Sequence, residues 1–123
     1  MSMNLAKQSF STAPEYFIAG TTVGIVSAVK EASAAVKAHG PVLLDSDGKV
    51  KPVTTSTTGS GDNAVTTVPT TGIYGIATEA AASGGEVVVY LTGEFFADSL
   101  ALETGVTAAD VEIALRNIGI FLK

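Results

Sequence analysis

Apolar and polar positions alternate along this chain in short runs, and most of the runs have the period of a strand. The densest stretch is Gly72 to Leu102, GIYGIATEAAASGGEVVVYLTGEFFADSLAL. Ile73, Tyr74, Ile76 and Ala77 make one apolar run. Glu86 to Thr92 makes another, rich in the β-branched and aromatic residues that suit a pleated surface. Between them, Ser83-Gly84-Gly85 supplies positive φ without a Cβ penalty, so the pattern predicts a hairpin. Gly93 then interrupts the apolar content before Glu94-Phe95-Phe96, and a glycine inside a strand pattern predicts a bulge or a close backbone approach. Val87, Val89 and Leu91 alternate with Glu86, Val88, Tyr90 and Thr92, so both faces of this strand are largely uncharged. A strand of that kind covers a core with one face and something else with the other. The hairpin is therefore predicted to form the core, with Val88 or the Gly93–Phe96 end close to an interface.

The other runs are weaker. Residues 17–29, FIAGTTVGIVSAV, read as strand material broken by Gly20 and Gly24. Ala28 to Ala38 is ambiguous: Ala, Glu and Lys with Gly40-Pro41 as a stop favour a helix, while a strand, a turn near Ser33-Ala34 and a second strand at Pro41–Leu44 compete with it. Asp45-Ser46-Asp47-Gly48 predicts a turn between Val42–Leu44 and Lys49–Val53. Residues 54–71, TTSTTGSGDNAVTTVPTT, predict a polar surface loop or an edge excursion around Val65–Val68. The one clear helical period comes late. Thr107 is a good N-cap with Asp110 three residues on, Val111, Ala114, Leu115 and Ile118 form one face, and Gly119 stops the helix. Ile120-Phe121-Leu122 then predicts a last strand buried in the sheet.

Residues 1–16, MSMNLAKQSFSTAPEY, have no periodicity and predict an extended arm of low local stability. Phe10, Tyr16 and Phe17 are candidate anchors for a partner, because aromatic residues dominate interface energetics.

Composition narrows the function. With 123 residues the chain fits one domain, here residues 17–123 behind the arm. It has no cysteine, so disulfides and thiolate metal sites are excluded. A net charge of −5 disfavours nucleic acid, which needs a basic surface. Charged residues are 15% of the chain, against about 25% in ordinary domains, so part of an uncharged surface is expected to lie against partners. No apolar run approaches a membrane span and the start does not read as a signal peptide, which leads us to expect a soluble protein made in the cytoplasm.

Candidate chemistry is sparse. His39, the single histidine, sits at a Gly-Pro turn and is expected to be solvated. Asp45 and Asp47 imitate the start of a calcium loop, but Lys49 and Ser56 stand where ligands are required. Gly59-Ser60-Gly61 lacks the lysine of a phosphate loop. Glu79, Glu86, Glu94, Asp98 and Glu103 are expected to form a solvated face or to meet a basic partner. The expectation is a protein that is not an enzyme and has no cofactor or metal.

In their order and spacing, several segments resemble the lambda-type phage head decoration proteins, also called capsid cement or stabilisation proteins. The segments are FIAG with the run after it, VKEASAAVKAHGPVLL, Asp47-Gly48-Lys49-Val50-Lys51-Pro52, GIATEAAASGGEVVVYLTGEF and the terminal DVEIALRNIGIFLK. The resemblance covers about Phe17 to Lys123. It implies a small, mainly β fold, β-rich α+β and barrel-like, with one short C-terminal helix and an extended N-terminal arm. It implies turn and strand rather than helix over residues 30–38. It also implies a homotrimer on the outer surface of a virion, bound to the major capsid protein and resisting internal DNA pressure, with Phe10, Tyr16, Phe17 and Ile18 as capsid-binding candidates. Residues 30–38 are more Ala-rich and charged than the family pattern, and the tract 54–71 is long. Another virion role, such as a head-fibre base or tail-tube accessory, and a small ligand-binding β module are the alternatives.

Overall fold

The computed structural model describes residues 17–123 and is mostly β. Strands β1 (Ile18–Gly20), β2 (Ser27–Glu31), β3 (Pro41–Leu44), β4 (Val50–Pro52), β5 (Ser56–Thr58), β6 (Val65–Thr67), β7 (Ile73–Ala77), β8 (Glu86–Tyr90), β9 (Gly93–Phe95) and β10 (Ile120–Leu122) are joined by one α-helix, α1 (Ala108–Asn117). Five strands form the main sheet in the order β2-β8-β7-β3-β4. That sheet curls until Ala32, just past β2, bridges Val50 of β4. Across the same seam Lys49 pairs with Glu31 at 3.2 Å. Inside the curl lie Ala32, Val36, Val42, Val50, Ala77, Val87 and Val89, all buried.

The predicted hairpin is the centre of this sheet, as β7 and β8, paired antiparallel. A bulge at its partner strand sets which faces its residues take. Val42 pairs with Gly75 but Leu43 pairs with Ile73, so Tyr74 is the extra residue. Tyr74 therefore turns towards the inside of the curl, while Ile73 and Ile76 turn to the opposite face. Gly75 permits the bulge, because a Cβ there would run into the Tyr90 carbonyl oxygen and lie 2.8 Å from Val89 Cγ1.

The second core fills the outer face of the curl. Ile76 and the half-buried Tyr90 meet Phe17, Phe95, Ile120 and the helix residues Val111 and Leu115 there. The helix follows local rules. The Thr107 N–H donates to Asp110 Oδ2 at 2.8 Å, fixing the first turn. Val111 and Leu115, one turn apart, present the apolar stripe to β7 and β10. Gly119, at φ +98, ends it in a conformation that disfavours other residues.

Of the two readings of Gly93, a bulge or a close approach to the backbone, the structure holds the close approach. Gly93 is not a bulge within one long strand but the point where the chain leaves one sheet for another. β9 belongs to a three-stranded sheet, order β1-β9-β10, with β1 antiparallel and β10 parallel to it. At φ +145, a Cβ on Gly93 would sit 2.6 Å from the Phe95 ring. The final strand is thus at an edge: Ile120 is buried, whereas Phe121 faces outward and is exposed.

Residues 30–38 form no helix. Their hydrogen bonds go to distant backbone instead, Ala32 N–H to Gly85, Ser33 N–H to Val50 and Val36 N–H to Ala81, and just beyond them the His39 N–H goes to Ala77. The tract 54–71 is neither a bare loop nor an edge of the main sheet. It folds into a separate two-stranded ribbon, β5 with β6, whose strand residues are all exposed.

Candidate interaction surface

Phe17 changes role on inspection of its surroundings. It was expected to anchor a partner, but its side chain is 2% exposed and belongs to the second core. Its ring stacks on His39 at a centroid distance of 4.1 Å and on Phe95 at 4.7 Å. Hydrophobic burial and ring stacking thus claim Phe17 for the fold. Its carbonyl accepts from the Phe96 N–H, which pins the start of β1. Ile18, the next residue, is 43% exposed on an edge strand and remains available. Phe10 and Tyr16 lie outside the described residues.

His39 is likewise not a solvated turn residue. It is half-buried, stacked on Phe17, and held at φ +66. Its backbone N–H donates to Ala77 and its carbonyl accepts from Ala101, so it wedges the turn between the two cores.

The carboxylates do not form one group. Glu79, Glu86 and Asp98 are exposed. Glu103 pairs with Lys37 at 3.4 Å. Asp45 caps its own turn, with Oδ1 accepting from the Asp47 N–H at 2.9 Å and the Lys49 N–H at 3.0 Å. Those backbone donors, that of Lys49 foremost, hold its pKa below the ordinary aspartate range. Glu94 departs furthest from expectation: predicted to be solvated, it is 5% exposed. Lys123 Nζ lies 2.8 Å from Oε1, and the Val23 N–H donates to Oε2 at 2.9 Å. The lysine first, then the amide, keep its pKa below the ordinary glutamate range against the opposing effect of burial. Among the described residues no group of three or more His, Asp or Glu side chains could hold a metal ion.

What the surface does offer is apolar. Ile18, Ile25, Val26 and Val29 are all exposed, and they come from one stretch of chain running from β1 into β2. Both strands are sheet edges. Val29 is 58% exposed and lies opposite the half-buried Val88, so these two valines share the outward face of the β2–β8 pair. Glu86 and Glu31 face each other two residues further along the same face. Phe96 and Phe121 add exposed rings on the small sheet. Val88 and Ile18 are candidates from the sequence, while Val26 and Val29 are not singled out there. The available signal was the alternation in Ser27-Ala28-Val29-Lys30-Glu31, which places Val29 on the opposite side from Ala28 and Lys30.

A shallow hollow of about 230 Å³ lies over the small sheet, lined by Thr22, Val23, Glu94, Phe121 and Lys123. It is smaller than the roughly 300–1,000 Å³ of ordinary ligand pockets. Both oxygens of its carboxylate already have partners. Comparison with known proteins finds no family model that matches the chain and no curated protein that matches it significantly.

Proposed function

We propose that this chain is a decoration protein of the lambda type, which binds the outer surface of an expanded phage capsid as a trimer and stabilises the shell. The observation that carries the reading is the exposed apolar set Ile18, Ile25, Val26 and Val29 along the stretch from edge strand β1 into edge strand β2, next to the point where residues 1–16 join the fold. An exposed apolar edge invites aggregation unless a partner covers it. The ordered sequence resemblance supports a capsid as that partner, and a curled sheet with a second core beside it suits a protein that transmits load rather than turns over substrate. Three sites on one trimer multiply weak contacts into avidity, so no single contact has to be strong. The chain's net charge of −5 favours a basic partner surface through faster encounter.

Mixing the purified chain with expanded, undecorated capsids tests the proposal. Saturable co-sedimentation and a raised melting temperature of the shell are the expected results, and absence of either refutes it. Removal of residues 1–16 is expected to spare the fold and weaken capsid binding. Electron microscopy of labelled particles separates a decoration site from a head-fibre or tail location.

A further inference from the structure

The segment between β1 and β2 is attached to the rest of the protein in an unusual way. From Thr21 to Ile25 no backbone N–H or carbonyl bonds to another backbone group among the described residues, and the first such bond is from the Leu91 N–H to the Val26 carbonyl. Side chains hold the segment instead. The Glu94 carboxylate accepts from the Val23 N–H at 2.9 Å. The Thr92 hydroxyl accepts from the Val26 N–H at 3.1 Å and donates to the Gly24 carbonyl at 2.6 Å. Thr92 lies in the short passage where the chain changes sheets, and Glu94 is the middle residue of β9 just after it.

The segment is otherwise built to move. Thr21, Thr22, Gly24, Ile25 and Val26 are exposed, and only Val23 is half-buried. Gly24 has open space where a Cβ would be, so no packing restrains it. Gly20 has the opposite character: a Cβ there would lie 2.8 Å from Glu94 Oε1, so glycine lets the carboxylate settle against the backbone. The segment contains no titratable group, and Lys123 is the only cation within ion-pair distance of Glu94 among the described residues.

We infer that residues 21–26 form a strap held shut by the Glu94 carboxylate and the Thr92 hydroxyl, which lifts as a unit and carries Val23 away from the hollow it lines with Phe121. Lys123 keeps the carboxylate charged and aimed at the strap, so the ion pair tightens the closure rather than forming a ligand site. A closed strap presents Ile25 and Val26 in one fixed arrangement. An open one releases that arrangement and exposes the half-buried Val23. The inference rests on the strap's hydrogen bonds alone and stands whether or not the chain decorates a capsid.

Amide hydrogen exchange on the full chain, resolved by residue with NMR, tests it. Glu94→Gln is expected to speed exchange at Val23 and Val26 together by about tenfold, the difference between a charge-assisted and a neutral hydrogen bond. Thr92→Val is expected to do the same at both amides. The amides of Ile76, Val89 and Leu115 should keep their original rates in both. Unchanged strap amides in the two folded variants would overturn the inference, as would strap and core amides accelerating together. A Glu94→Gln chain that fails to fold also counts against it, because Glu94 would then hold the whole domain rather than the strap. Lys123→Met gives an independent reading: faster exchange at Val23 and Val26 together, with the core amides unchanged, supports the strap, whereas acceleration at one of the two alone, unchanged exchange or global exchange refutes it.

Discussion

Val88 and Val89 are neighbours on β8 that point to opposite faces, and a lysine at each should have opposite consequences. Val89 is 0% exposed and lies inside the curl with Ala77 and Val87. Replacing it forfeits the burial of a valine, about 1.5–3 kcal/mol. The ammonium adds a desolvation penalty of several kcal/mol, because no described carboxylate is buried in that cluster. The sum rivals the roughly 5–15 kcal/mol that stabilises an ordinary domain. Val88 sits on the outward face, opposite Val29, with Glu86 two residues back and Glu31 diagonal to it. Val88→Lys loses about 1 kcal/mol of partial burial and recovers a few tenths of a kcal/mol from the two carboxylates. Thermal unfolding followed by circular dichroism should therefore show Val89→Lys unfolded at room temperature, and Val88→Lys within about 4–8 °C of the parent. Light scattering and capsid co-sedimentation should then show Val88→Lys defective in trimer formation or binding. Two results would refute this reasoning. If both variants unfold, the assignment of faces is wrong. If Val88→Lys forms a normal, capsid-binding trimer, the outward face is not an interface.

Three further expectations follow from single positions. Gly75→Ala should cost about 3 kcal/mol or more, since backbone rather than a side-chain tip blocks the new methyl, and chemical denaturation should show it. Phe17→Ala should cost about 3–5 kcal/mol while Ile18→Ala costs under about 1 kcal/mol, a contrast that places the start of the fold at residue 17. Acid should weaken the fold in a defined direction. Glu94 and Asp45 have depressed pKa values when folded, so their contribution is fully present above the ordinary carboxylate range and is lost as pH falls through the folded values. Melting temperatures recorded from about pH 5 down to about pH 2 should fall less steeply for Glu94→Gln than for the parent, and equal slopes would show that Glu94 does not contribute.

What the sequence made legible was what short-range chemistry decides. Thr107, Asp110, Val111, Leu115 and Gly119 specify a helix within a dozen residues, and the helix is there. The Ser83–Gly85 link and the turn at Asp45–Gly48 join the strands they were expected to join. Residues 30–38 show the limit. Their own composition favours a helix, and partners distant in sequence, Val50, Ala81 and Gly85 together with β8, hold them extended. Gly93 shows another: one glycine in an apolar run looks the same whether the strand bulges or changes sheet, and the choice depends on Ile120 and Ile18 pairing beside it. Glu94 was unreadable for a related reason. A carboxylate between a glycine and two phenylalanines looks solvated until Lys123 and the Val23 amide, each distant in sequence, come to it. Of the candidate anchors, Phe17 looked like part of an aromatic cluster with Phe10 and Tyr16, and nothing local announced that Phe95 and His39 would enclose it.

The small sheet has a mechanical consequence. Ile18 at the start of β1 and Leu122 at the end of β10 both pair with Phe95, on either side of it. Tension applied between these two positions therefore reaches both outer strands at the same end of β9 and peels them away bond by bond, like a zip. Tension directed outward along β1, away from Gly20, loads its hydrogen bonds together, in shear. A tether at the start of this fold would be strong or weak according to the direction of pull, independently of how tightly its far end is bound.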